Sequence, residues 1–399
     1  MKHFKSLLFI GVLAVALCGC GRGGMAVKAG NYSDFNILKK NLPDDERLKF
    51  TEKLKCGWNL GNTFDATDDS GNADPAGLES AWVGIKTSED MIKAVHKAGF
   101  ETLRLPVSWH NHVSGDDYTI DKAWLDRVQE VVDYAINDGM YVILNIHHDE
   151  QEFFPSSDRM DSSRKYVSSI WSQIAERFKS YNEHLIFETL NEPRLVGSPN
   201  EWNLNMGAKE CLDSVRCINE LNQLAVDTIR KTGNNNADRY IMAPGYCASP
   251  DGALDGNFVL PDDPADHMIV SVHSYAPYEF ALKPDSEEGT TDAFSHSKSS
   301  DTAPVKDVAE KLYVKFISKG IPVVVGEYGS VERNGNTEAR VDHAGYFNAK
   351  YRSCGIPCCW WDNYISSGNG ERFGIFDRKE LTFNAPEILE AIIKYSNAK

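Results

Sequence analysis

Two carboxylates stand at the ends of apolar runs. Glu192 ends the stretch "LIFETLNE" and is followed by Pro193, which cannot continue a β ladder. Glu327 ends "PVVVGE". One such carboxylate is usually a solvated strand terminus. Two brought face to face are suited to glycoside hydrolysis, in which one donates a proton to a leaving oxygen and the other, ionised, attacks carbon. Other reactive side chains close similar runs: Arg104 in "TLRLPVSW", His147 and His148 in "NIHHDE", Asn191 before Glu192, His273 and Tyr275 in "VSVHSY", and Trp360 and Trp361 in "CCWWDN". A cation such as Arg104 or His273 beside one glutamate keeps it charged, whereas a drier or anionic setting keeps the other protonated. Tandem His147 and His148 are poor ligands for one ion, because neighbours on a strand point to opposite faces. Cys-x-x-Cys and Cys/His zinc spacings are missing, so no metal and no other cofactor is expected.

The elements that must hold these groups form a repeating pattern. Strands are expected near Lys55–Leu60, Thr102–Pro106, Tyr141–Ile146, Leu185–Leu190, Arg239–Ala243, Met268–His273, Pro322–Val325 and Pro357–Trp361. Amphipathic helices are expected at Ser88–Ala98, Ala123–Asn137, Lys165–Lys179, Leu221–Lys231, Val305–Lys319 and Ala339–Tyr351. Gly99, Gly139, Gly233, Gly320 and Gly355 follow helices as C-caps should. Eight β/α units predict an α/β fold of the TIM (β/α)8 barrel type, one domain over 51–399. An open doubly wound sheet would carry a glycine-rich dinucleotide turn after its first strand, and "GWNLGN" lacks that spacing. In a barrel, strands 4 and 7 face each other, so Glu192 and Glu327 meet across the mouth. The segments 149–160, 195–217 and 282–304 read as long loops on that same face.

Composition is that of a globular chain, 42% apolar and 25% charged. The net charge of -16 argues against nucleic acid as a partner. Lys2 and Lys5 precede an apolar stretch, Leu7–Leu17, that is too short to span a bilayer. Leu17-Cys18-Gly19-Cys20 resembles a bacterial lipobox, so residues 1–20 are expected to be a signal with Cys20 lipidated, and 21–50 a flexible tether and lead-in. The protein is then exported, as a membrane-anchored lipoprotein at the cell surface or periplasm or in secreted form, and touches membrane only through that anchor. Seven cysteines remain; Cys358 and Cys359 read as small core residues, and Cys211 and Cys217 could pair only with distortion on one helix.

The motifs "GWNLGNTFDA", "GFETLRLPVSWHNH", "LIFETLNEPR", "IVSVHSYAP", "GIPVVVGEYGS" and "GIPCCWWDN" together resemble the cellulases of glycoside hydrolase family 5, within them the endoglucanase and xyloglucanase subfamily 4, over about residues 50–395. The resemblance implies a retaining endo-β-1,4-glucanase acting on cellulose-like glucans. It matches Glu192 to the acid/base, Glu327 to the nucleophile, Asn191 to a contact of the sugar 2-hydroxyl, and Arg104 and Tyr275 to groups that orient the nucleophile. His273 matches a residue beside the acid/base, and His147, with its neighbour His148, a substrate-contacting histidine. Trp361 matches the platform under the sugar, although "WWDN" alone leaves Trp360 as an alternative. One departure is Tyr364, where relatives often carry glycine. Trp58, Trp82, Trp109 and Trp202 are further platform candidates, and Asn62, His110 and His112 candidate sugar contacts; Trp124 and Trp171 read as packing residues. The expected partner is a β-glucan polysaccharide bound by a monomer. The alternatives are a mannanase or xylanase on the same scaffold, or a non-catalytic glycan-binding lipoprotein.

Overall fold

The computed structural model describes residues 27–68, 70 and 74–399. The expected signal segment and Cys20 lie outside these residues. Eight parallel strands close into a barrel: β1 (Cys56–Leu60), β2 (Thr102–Leu105), β3 (Tyr141–Asn145), β4 (Leu185–Glu188), β5 (Ile241–Pro244), β6 (Met268–His273), β7 (Val323–Tyr328) and β8 (Cys358–Asp362). Neighbours in the chain are neighbours in the barrel, and β8 closes on β1 with Trp361 beside Asn59. All eight expected strands are present, with small shifts at their ends.

The helices outside the barrel start and stop where local chemistry directs. Ser88 Oγ accepts from Met91 N (3.2 Å), and an Asp121 carboxylate oxygen from Trp124 N (2.9 Å), capping the helices Glu89–Lys97 and Lys122–Asn137. The five expected C-cap glycines all adopt positive φ, from 68° to 111°. Three helices begin well before their expected starts, Met160–Phe178 among them. Lys209–Lys231 buries Cys211, Val215, Ile218 and Leu221 along one stripe, so the expected loop 195–217 is helical from Lys209 onward. The stripe is visible only when cysteine counts as apolar. Ser299–Lys315 opens with a polar turn that reads as loop in the sequence. Helix Pro386–Ser396, not expected, packs against Thr337–Ser353. All seven cysteines from Cys56 to Cys359 are buried and free.

The structure moves the start of the domain. From residue 27 the expected lead-in is packed on the barrel: Tyr32, Ile37 and Leu48 join the outer core, and Gly30 exchanges backbone hydrogen bonds with Lys394 and Lys399. Helix Glu46–Glu52 carries Phe50 to the floor of the barrel, where its ring lies flat on Tyr240 (3.6 Å between centroids, 2° between planes).

The barrel interior is layered. Phe50, Leu54, Tyr141 and Tyr240 form an apolar floor, and Ile143, Ile186, Met242, Ile269, Val324 and Cys359 fill the middle. One residue-pair higher, the inward positions become polar: Asn59, Arg104, Asn145, Glu188 and Ser271, all fully buried. This change of layer places the chemistry at the C-terminal rim. Phe50→Ala should lower the unfolding free energy by about 3–5 kcal/mol, measured by urea denaturation. A loss under about 1 kcal/mol would mean that the segment is not part of the core.

Candidate active site

Arg104 is the hub of the polar layer. Its Nε donates to Glu188 Oε2 (2.9 Å), and its Nη1 to Asn59 Oδ1 (2.9 Å) and Glu327 Oε1 (2.7 Å). Its Nη2 donates to Asn191 Oδ1 (2.8 Å) and lies 3.3 Å from His273 Nε2. Glu188 also accepts from Asn145 Nδ2 (3.0 Å) and Ser271 Oγ (2.5 Å). Burial opposes the charge on Arg104, but Glu188 and Glu327 hold it protonated. The side chain has no exposed surface, so Arg104 acts through these groups. Gly326 makes room for it: a Cβ there would lie 3.3 Å from Arg104 Nε and His273 Nε2.

Glu327 reaches the interior through a bulge. Val272 pairs with Val325, yet His273, the next residue, pairs with Glu327, so β7 carries an extra residue at Gly326. The pairing with β8 shifts at the same place. Strict alternation from inward Val324 would send Glu327 outward; the bulge turns it into the mouth. There it also accepts from Tyr275 Oη (3.0 Å). Burial would raise its carboxyl, but His273, Arg104 and Tyr275 bring it below the usual value.

Glu192 lies just past β4, more exposed than Glu327, and contacts His273 Nδ1 through Oε1 (2.7 Å). In its neutral form His273 accepts from Arg104 at Nε2 and donates from Nδ1 to Glu192. Burial resists its protonation, while Glu327 and Glu192 raise its pKa. A carboxylate oxygen from each of Glu192 and Glu327 lies within 4.8 Å of the other and of His273. That closeness suits direct attack on carbon by one of the pair. The set has metal-like spacing, but Arg104 already supplies positive charge there.

The aromatic groups divide cleanly. Trp360 points away from the mouth, fully buried, with Nε1 donating to Phe373 O (3.2 Å). Trp361 points inward and lies parallel to His147 (5.9 Å, 3°), so it is the platform candidate. His147 is joined through Asn145 Nδ2 (3.1 Å), and burial, His148 and Arg104 hold it neutral. Burial would lower His148 too, but Glu150, with Asp65 and Glu192 beyond, raises it to about 9. Trp82, 42% exposed, stands next along at 6.2 Å from His148. Trp58 and Trp109 are core residues, not platforms, because they lie at positions turned toward the helix layer and loop base. His112 is also buried, stacked on Trp124 at 3.6 Å. His110 is tied through Nδ1 to Asp149 (2.7 Å), and Asn62 gives its backbone N–H to Asp65 (2.9 Å); neither meets the two carboxylates. Tyr364 adopts φ 69°, the region that favours glycine, which accounts for the glycine common at this position and not for the tyrosine here.

Sequence reading missed Glu188, Asn59, Asn145 and Ser271. A charged residue within an apolar strand, at the inward parity and needing a buried partner for Arg104, was the available signal for Glu188.

A closed β/α barrel with two such carboxylates at its C-terminal rim defines a barrel-type glycoside hydrolase. Comparison with known proteins agrees: the sequence profile of "Cellulase (glycosyl hydrolase family 5)" matches residues 65–367. The chain belongs to that family, and it is an endoglucanase. Endoglucanase 1 of Ruminococcus albus is 44% identical over 346 residues, covering 86% of this chain and 80% of the relative. A family 5 lichenase from Caldicellulosiruptor sp. F32 superposes with a TM-score of 0.89 at 50% identity, covering 90% of this chain and 98% of that one. A mutant of that enzyme has been solved with cellotetraose. A GH5-4 broad-specificity endoglucanase from Ruminococcus champanellensis, solved with cellotriose, gives a TM-score of 0.81 at 42% identity, covering 89% and 100%.

The depressed Glu327 carboxyl has a kinetic consequence. Activity that needs Glu327 ionised should persist below its ordinary value of 4.5. Tyr275→Phe removes one stabilising donor, so the acid limb of the kcat/KM profile should move to higher pH. An unmoved limb with folding intact would remove Tyr275 from this role.

Proposed function

We propose that the protein is a retaining endo-β-1,4-glucanase that cuts internal bonds of cellulose-like β-glucans. The observation that carries the reading is the closeness of the Glu192 and Glu327 carboxylates, within 4.8 Å around His273. Glu327, kept ionised by Arg104, His273 and Tyr275, attacks the anomeric carbon. The C–O bond breaks as Glu192 gives its proton to the leaving oxygen. Water then yields a proton to Glu192, attacks the glycosyl ester and releases Glu327. Arg104 fixes Asn191 Oδ1, which leaves the Asn191 amide N–H groups for a sugar hydroxyl. Trp361 offers a ring face to the sugar at the cleavage point, and His147, His148 and Trp82 extend the path along one side. The likeness to a lichenase favours mixed-linkage β-glucan as a good substrate, and the likeness to a broad-specificity endoglucanase favours several glucans; xyloglucan is a candidate from the subfamily resemblance alone.

Product release from carboxymethyl cellulose, mixed-linkage glucan, xyloglucan, xylan and mannan tests this. Glucan hydrolysis should dominate and fall at least about 10³-fold in Glu327→Ala. Preference for mannan or xylan would change the substrate assignment, and binding without turnover would make this a glycan-capture protein. Glu192→Ala should damage polysaccharide turnover far more than turnover of an activated aryl cellobioside, whose leaving group needs no proton. Equal damage would argue against an acid role.

The lipobox-like Leu17–Cys20 motif supports an exported, lipid-anchored protein. Fatty-acid labelling in a bacterial host should disappear in Cys20→Ala; labelling that persists, or never occurs, removes the anchor.

A further inference from the structure

The loop after β4 is organised around a cation that the hydrolytic steps above do not use. Arg194 is mostly buried, its side chain 11% exposed. Its Nη1 donates to Glu150 Oε1 (2.5 Å) and to the backbone oxygen of Glu192 (3.1 Å). Its Nε donates to Glu201 Oε1 (3.2 Å), whose other oxygen accepts from Gly197 N (2.8 Å). The guanidinium lies over the Trp202 ring at 4.1 Å. Trp202 is nevertheless 57% exposed, more than any other tryptophan exposed among the described residues. One ring face is therefore set by Arg194 while much of the side chain remains open.

We infer that Arg194 is a positioning residue that fixes Trp202 as a sugar platform on the leaving-group side of the cleft. The inference rests on the acid/base role of Glu192 proposed above. Glu192 hands its proton to the leaving oxygen, so the loop continuing from it lies on the side where the leaving sugar sits. The opposite side is already furnished by Trp361, Tyr275 and His147 around Glu327. A pyranose presents a C–H face that packs on an aromatic ring, and a ring immobilised by a guanidinium beneath it loses little freedom when it binds. Lysine cannot replace Arg194, because an ammonium lacks the planar fork that spans Glu150, Glu201 and the Glu192 carbonyl while stacking on the ring. Glu150 continues the chain of charge to His148 (3.8 Å), so the same cation joins the furnishings of both sides of the cleft.

The test separates substrates that need this platform from one that does not. Cellohexaose and mixed-linkage glucan place sugars on the leaving-group side, and dinitrophenyl β-cellobioside places only an aryl group there. Arg194→Met, Arg194→Lys and Trp202→Ala should each lower kcat/KM on the two glucans about tenfold or more, while the aryl glycoside changes less than about threefold. The double variant Arg194→Met/Trp202→Ala should be no worse than Arg194→Met alone, since both remove one platform. Equal losses on all substrates, no loss on the glucans, or additive losses in the double variant would each overturn the inference. Trp202 is exposed, so Trp202→Ala reports even where an Arg194 variant fails to fold. Glu327→Ala is run alongside on the aryl glycoside: its inactivity upholds the underlying reading whatever Arg194 does, and its activity overturns that reading instead.

Discussion

A single buried guanidinium holds the site together. Moving an ion into a protein interior costs several kcal/mol unless charge and hydrogen bonds are returned to it. Arg104 receives two carboxylates, two amide oxygens and an imidazole nitrogen. The five N–H donors of arginine in a rigid fork make this arrangement achievable, and lysine could not repeat it. The dependence runs both ways. Without Arg104, Glu188 would be left as an uncompensated charge in the barrel, and Asn191 and Glu327 would lose the atom that fixes them. The adjacent glycine, Gly326, belongs to the same constraint, because a side chain there would press on Arg104, His273 and Glu188.

Around that cation the two outer carboxylates are treated unequally. Glu327 takes Arg104 and Tyr275 directly and has His273 at 3.6 Å. Glu192 takes His273 alone among these and faces more solvent, 17% against 7% for its partner. Unequal surroundings are how one site keeps a nucleophile ionised beside an acid/base. The asymmetry is supplied by the arginine on β2 and the tyrosine after β6, both named by the family resemblance, and by a bulge on β7.

The architecture was legible in the sequence because its signals are local. Apolar runs of strand length, helices of period 3.6 and glycines at helix ends are each readable over a few residues, and all eight strands appear. The rim residues were legible for the same reason, being polar interruptions at the ends of those runs. What escaped depends on long-range geometry. Asn59, Asn145, Glu188 and Ser271 are polar residues within strands, and only the closed barrel shows that they share one layer with Arg104. The segment 27–50 looks like a lead-in because its apolar residues are scattered; Tyr32, Ile37 and Phe50 find partners far away in the chain. The choice between Trp360 and Trp361 required strand parity, and the inward aim of Glu327 required a bulge that breaks parity.

The aromatic groups then follow from the layering. Sugar rings need flat apolar faces with polar edges beside them, and both are available only where the polar layer meets solvent. Trp361 is one inward step above Cys359 and therefore stands at that boundary, next to His147. From there His148 and Trp82 lead outward on one side, and Trp202, stacked on Arg194 in the loop after Glu192, is the platform inferred for the other. With Trp202 in that place, the two carboxylates lie within a line of ring faces and not at its end. A chain seated on such a line extends past the point of cleavage in both directions, and the bond that meets Glu192 and Glu327 is an internal one. The endo mode of action proposed for the enzyme follows in this sense from where the polar layer sits in the barrel.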